Sequence, residues 1–166
     1  MRRISLSVYA FLLLVLFIFS GCGKTNTDKT LISITSNGET TLPYLRFSWG
    51  SSMTDNGWLE ADAVQLICDL PDIAPELPIV RYHDDFTVQY SEGVSYSSML
   101  VYDDSFKPLD HIATYSEIDY LTCLQELPEG TYYIGIAVVE QGDYIESAGK
   151  YEHSGTDCVF KLMVEQ

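Results

Sequence analysis

Three histidines, His83, His111 and His153, lie in polar stretches beside acids, and His83-Asp84-Asp85 and Asp110-His111 are the pairs that could serve as acid/base partners or metal ligands. Neither a His-x-x-x-His nor a Glu-x-x-His spacing is present, so solvated surface histidine is the expected state of each. A hydrolase needs an activated nucleophile, commonly on a sharp Gly-x-Ser-x-Gly elbow, and Gly142, Gly149 and Gly155 do not have that spacing to a serine. Gly23-Lys24-Thr25 ends like a phosphate-binding loop, but the loop's first glycine would fall at Ile18 inside an apolar run, which rejects it. The chain is therefore expected to be no enzyme and to need no cofactor.

Acids and aromatics are the more serious binding groups. The pairs Asp84-Asp85 and Asp103-Asp104 and the run Glu117 to Asp119 could gather oxygens around calcium, Asp103 and Asp104 being the weak candidates. Asp55-Asn56-Gly57 lacks the alternating acids of a calcium loop, and a solvated acidic face is the favoured expectation. Trp58, Tyr144 and Tyr151 fall in polar stretches that predict loops, where a core does not need them; exposed Tyr and Trp anchor protein or glycan ligands. The predicted loop over 140–156 is the expected contact surface.

The elements that must carry these groups begin after the N-terminus. Arg2 and Arg3 precede an uncharged apolar run, Val8 to Phe19, which breaks at Ser20, Gly21, Cys22 and Gly23. A helix from Ile4 to Phe19 would reach only about 24 Å, short of the roughly 30 Å hydrocarbon core of a bilayer. Phe19-Ser20-Gly21-Cys22 resembles the lipobox of bacterial lipoproteins, with Phe19 where Leu is usual. The resemblance implies that 1–21 is a signal peptide, that Cys22 becomes the acylated first residue, and that 22–30 is a tether to the outer face of the cell membrane. An uncleaved anchor and ordinary cleavage near Gly23 are the other readings.

Without Arg2 and Arg3, 24 acidic residues stand against the seven remaining basic ones, a net charge of −17 with neutral histidines. Such a surface repels nucleic acid and anionic lipid, and only Lys24 and Lys29 carry the sign to lie near headgroups. Cys68, Cys123 and Cys158 match no zinc spacing, and their odd number leaves at least one unpaired within the chain.

From residue 31 the apolar pattern settles into period two. Ile32 and Ile34 share a face, as do Leu45, Phe47 and Trp49, then Phe86, Val88 and Tyr90, then Tyr132, Ile134, Ile136 and Val138, and finally Phe160, Leu162 and Val164. "YSSMLVYDDSFKPL" predicts two short strands around a turn at Asp103-Asp104-Ser105. Residues 59–70 fit a helix through Leu59, Ala63, Leu66, Ile67 and Leu70 or a strand through Val64, Leu66, Cys68 and Leu70; strand is the preferred expectation. Pro71, Pro75 and Pro78 then predict a crossing between sheets.

Pro128, Gly130 and Tyr132 before an alternating strand resemble the tyrosine corner of immunoglobulin-like and fibronectin-type sandwiches. That resemblance implies an all-β, immunoglobulin-like antiparallel β-sandwich over 31–166, with the Tyr132 hydroxyl bonded to backbone just upstream. The closing pattern also resembles accessory domains of exported proteins from low-GC Gram-positive bacteria, which carry no known activity with them.

The expected function is that of a membrane-anchored, extracytoplasmic, non-catalytic binding module, with a protein or glycan partner in the envelope and no nucleic acid. Inhibition or regulation of an envelope protease or membrane sensor is the alternative, and a small hydrolase comes third. Replacing Cys22→Ser is expected to abolish incorporation of a labelled fatty acid and to release the protein from pelleted membranes; a variant that pellets like the wild type would refute the lipid anchor.

Overall fold

A computed structural model describes residues 30–61, 65–109 and 117–165. The expected signal segment, Cys22 and His111 lie outside them, as do the side chains of Ile67 and residues 117–120. Among the described residues, no helix is long and apolar enough to cross a membrane. The fold is an all-β sandwich of two sheets. Strands β1 (Ile32–Ser36), β2 (Glu39–Thr41) and β6 (Thr87–Tyr90) form the smaller sheet in the order β2-β1-β6. The larger runs β4-β3-β9-β8-β7, from β3 (Tyr44–Thr54), β4 (Gly57–Ala61), β7 (Val94–Tyr102), β8 (Gly130–Ile145) and β9 (Lys150–Val164).

β9 organises the large sheet. One edge pairs with β8 along nearly its whole length, and the other is shared. β3 pairs antiparallel with Ser154 to Val159 and beyond to His153, and β5 (Ile79–Arg81) then takes Lys161 to Met163 in parallel. That parallel pair departs from the purely antiparallel sandwich that the sequence predicts.

The core follows the period-two faces. Ile32, Ile34 and Phe86 from the small sheet meet Met99, Val101, Ile134, Ile136, Val138, Phe160 and Leu162 from the large one. Each fully buried side chain of this size contributes roughly 1.5–3 kcal/mol before chain entropy is charged against it. Val164 packs at the margin, and Leu124 and Leu127 close one end from the helix Glu117–Gln125 and the residue run after it. The sequence pattern does not predict this helix, because its N-terminal half is an acidic stretch that reads as solvated surface.

A second apolar cluster lies on the outer face of the large sheet. Residues 59–70 divide instead of forming one strand: Leu59 ends up on β4, while Leu66–Cys68, Leu70–Ile73 and Ala74–Glu76 are successive helical turns. Pro71 and Pro75 sit in the first turns of their helical pieces, where a missing N–H costs nothing. Leu66, Leu70, Ala74 and Leu77 thereby share one side and pack on Tyr44, Tyr102, Tyr133 and Val159. Gly135 makes room for them, since a Cβ there would stand 2.4 Å from Leu66 Cδ2. The proline-rich stretch returns to the same sheet as β5, so it covers that sheet and does not cross to the other.

β3 keeps Leu45 against the core but departs from the expected alternation after it. Phe47 is 62% exposed, whereas Arg46 and Ser48 are buried. A bulge at Ser48 shifts the β3–β9 register between Phe47 and Trp49, and beyond it the Trp49 indole lies across Gly155, 2.0 Å from where a Cβ would be. Arg46 is buried because it is fully engaged: Nε donates to Asp69 Oδ2 at 2.7 Å, one terminal nitrogen to Asp157 Oδ2 at 2.7 Å, and the other to the Gln65 carbonyl at 3.2 Å. The guanidinium thus ties the helical cover to β9.

Burial holds the Asp157 carboxyl above its ordinary range, although the hydrogen bond and charge of Arg46 pull it down. A carboxyl raised in the folded state binds its proton more tightly there than in the unfolded chain. Its stabilising contribution is therefore complete below the unfolded pKa and is lost as pH rises through the folded value. Urea unfolding from about pH 3 to about pH 7 should show the stability of the wild type falling relative to Asp157→Asn, and a difference that stays flat would contradict this. At neutral pH Arg46→Ala should cost about 3–5 kcal/mol by leaving a buried carboxylate unpaired.

Candidate functional site

The expected contact loop over 140–156 is not a loop. β8 and β9 continue through it as a ladder, with pairs at Glu140↔Ser154, Tyr144↔Tyr151 and Ile145↔Lys150, and the connection shrinks to a turn around residues 146–149. Gly149, at φ +63°, closes that turn, and its N–H donates to the Ile145 carbonyl at 2.9 Å. A parallel correction applies to Trp58, which lies on β4 opposite Met53 of β3. Here the ribbons carry polar side chains and still pair, because a two-sided exposed ladder needs no apolar face.

This end of the sheet brings the three aromatic candidates to one region. The Tyr144 and Tyr151 rings lie 4.9 Å apart at 57°, and the residues are 51% and 45% exposed. Lys150, next to Tyr151 in the chain, holds its Nζ 5.4 Å from the centre of the Trp58 ring. Trp58 Nε1 donates to Glu60 Oε1 at 3.0 Å, and Lys150 Nζ stands 3.5 Å from the same oxygen. The indole hydrogen bond, and after it the lysine charge, hold the Glu60 carboxyl below its usual range. The β3–β9 pairing runs to Ser51↔His153, and just beyond it the Glu152 carboxylate accepts the Met53 N–H at 2.8 Å.

Close by, an open groove of about 300 Å³ is lined by Ser51, Ser52, Glu140, Gln141, Glu152 and His153, among others. The β8 bulge between Gln141 and Tyr144 shapes it. One of its acids, Glu152, is already spent on the Met53 amide. Among the described residues, no group of three or more His, Cys, Asp and Glu side chains could hold a metal ion.

The other candidates are structural in their surroundings. Asp103 Oδ1 accepts the N–H groups of Ser105 and Lys107, each at 2.9 Å, so its carboxylate closes the turn that was the weak calcium candidate. Asp104 Oδ1 lies 3.3 Å from the Ser105 hydroxyl, and the second strand expected after this turn is a single bridge, Tyr102↔Pro108. Asp85 accepts the amides of Asn37 at 2.7 Å and Gly38 at 2.8 Å, clamping the β1–β2 hairpin, and those bonds lower its pKa. Tyr132 is buried in the core with its hydroxyl donating to the Pro128 carbonyl at 3.0 Å. The Glu60–Lys150–Trp58 cluster and the Arg46 network are absent from the sequence expectations, because each joins residues from segments far apart in the chain.

No protein-family model matches the chain, and neither a curated protein nor a solved structure is similar enough to match it. The site's chemistry is therefore read from its own geometry.

Among the described cysteines, Cys68 is exposed, Cys123 half-buried and Cys158 buried, and none of the three is in a disulfide. Burial, with the Asp157 and Glu140 charges adding to it, pushes the Cys158 thiol up to about 12. Since the thiolate is the reactive form, iodoacetamide at neutral pH should modify Cys68 in the native protein and Cys158 only after unfolding. Peptide mass mapping decides this, and native labelling of Cys158 at the Cys68 rate would be the contrary result.

Proposed function

We propose that the protein is a lipid-anchored extracytoplasmic binding module that catalyses nothing and meets its partner with the far end of its large sheet. One observation carries this: Tyr144 and Tyr151 stand about half exposed with their rings in tilted contact on paired strands, and Lys150, next to Tyr151 in the chain, reaches Trp58 on the neighbouring hairpin. Large rings on a rigid ladder lose little conformational freedom on binding, so their contact area converts to affinity more fully than that of a mobile loop. Membrane attachment through Cys22 would hold that end within reach of envelope proteins and glycans.

A photo-crosslinking residue placed at Leu59, beside Trp58, in the native envelope tests the proposal. Capture of a defined partner should fall at least about tenfold when Trp58→Ala and Tyr151→Ala are combined, the loss of a binding hot spot. Equal membrane recovery of both forms is the control. Undiminished capture by the double variant would move the contact elsewhere, and capture of a single enzyme in one-to-one ratio would assign the module to inhibition.

A further inference from the structure

We infer that the partner of this surface is a basic protein segment that lays lysine or arginine side chains on the Trp58–Tyr144–Tyr151 end of the sheet. The inference rests on the reading that this end is the contact surface, and it names the chemistry that the end takes.

Two independent features support it. The first is charge. Within residues 51–61 and 140–154, Asp55, Glu60, Glu140, Asp143, Glu146 and Glu152 face one lysine, Lys150. An aromatic surface set in so many carboxylates repels anions and attracts cations, and it raises the encounter rate with a basic partner. The second is that the surface already binds an ammonium. Lys150 places its Nζ 5.4 Å from the Trp58 ring centre and 3.5 Å from Glu60 Oε1, while the indole N–H fixes that same carboxylate oxygen. An aromatic face with a positioned carboxylate is a cation-recognition site, and the chain's own lysine fills it.

That internal occupant is loosely held. Lys150 is 56% exposed and Glu60 68%, and exposed ion pairs of this kind contribute little. An incoming lysine or arginine could therefore displace it, a guanidinium with the added advantage of stacking flat on the indole. Among the described residues no cation lies over the Tyr144 or Tyr151 ring, which leaves that pair open to a second basic side chain. Lys150 then acts as a tethered competitor, so removing it should improve binding even though it removes a side chain from the surface.

The test uses the full chain in detergent micelles and three probes: a peptide of alternating Lys and Gly, its Glu–Gly counterpart, and a neutral N-acetylglucosamine oligosaccharide. The Lys–Gly peptide should bind, more weakly as salt rises, and the other two should not. Trp58→Ala and Tyr151→Ala leave the net charge unchanged, and each should weaken binding roughly tenfold. Lys150→Gln should strengthen it by roughly three- to tenfold, against Lys161→Gln as a charge-matched control. Unfolding midpoints close to wild type establish that the variants fold. If the aromatic variants hold the Lys–Gly peptide as well as the wild type, the attraction is the field of an acidic chain and the inference fails. It fails equally if Lys150→Gln weakens binding or matches Lys161→Gln, or if the oligosaccharide binds in the peptide's place. Oligosaccharide binding that is lost with Trp58 and Tyr151 would leave the contact surface standing and overturn only its basic partner. Undiminished envelope capture by the double variant would remove the surface itself.

Discussion

The buried guanidinium of Arg46 is the constraint on which the arrangement of the large sheet depends. Arginine cannot shed its proton inside a protein, so a position 8% exposed must supply it with partners or exclude it. The partners come from two other segments: Asp157 on the central strand β9, and Asp69 with the Gln65 carbonyl on the helical cover. The pairing thereby fixes where the cover sits, and the cover in turn buries Tyr44, Tyr133 and Val159 beneath Leu66, Leu70 and Leu77. A large part of the large sheet's outer face is closed by that one connection.

Beyond the cover the situation is different. β3, β4, β8 and β9 extend past it as hairpins, and the exposed residues there include Met53, Leu59, Tyr144 and Tyr151. The sandwich is thus divided lengthwise. One part is packed on both sides of the large sheet, and the other keeps strand rigidity while leaving aromatic rings accessible. Side chains carried on strands are held more precisely than side chains on loops, so the uncovered part presents its rings in fixed positions.

Sequence periodicity disclosed the strands whose faces are buried and little else. Ile134, Ile136 and Val138 on β8 alternate because a second sheet lies over them, and the same holds for Phe160 and Leu162. At Tyr144 and Tyr151 no described residue buries the ladder, so polar and aromatic residues mix without period and the segment reads as a loop. Arg46 misled for a related reason: a charged residue in an alternating strand signals solvent, and only Asp157, far along the chain, reverses that expectation. In 66–76 the helical spacing was present, but two prolines and a cysteine obscured it. The candidate aromatics were legible as residues and not as a site, since the lysine and carboxylate that complete the cluster come from different hairpins.

The position of β9 has a consequence for the order of events during folding. Residues 150–164 supply the partner for β3, β5 and β8 alike. Until they are available, the chain can form the small sheet, the β3–β4 hairpin and the β7–β8 pair, but nothing joins the last two into the large sheet, and the Arg46 guanidinium lacks Asp157. Closure of the domain is therefore a late, long-range event, the kind that loop-closure entropy makes slow. In a nascent or partly threaded form of this protein the ribbons of the large sheet would remain unconnected, and the last strand acts as the keystone that commits them to one structure.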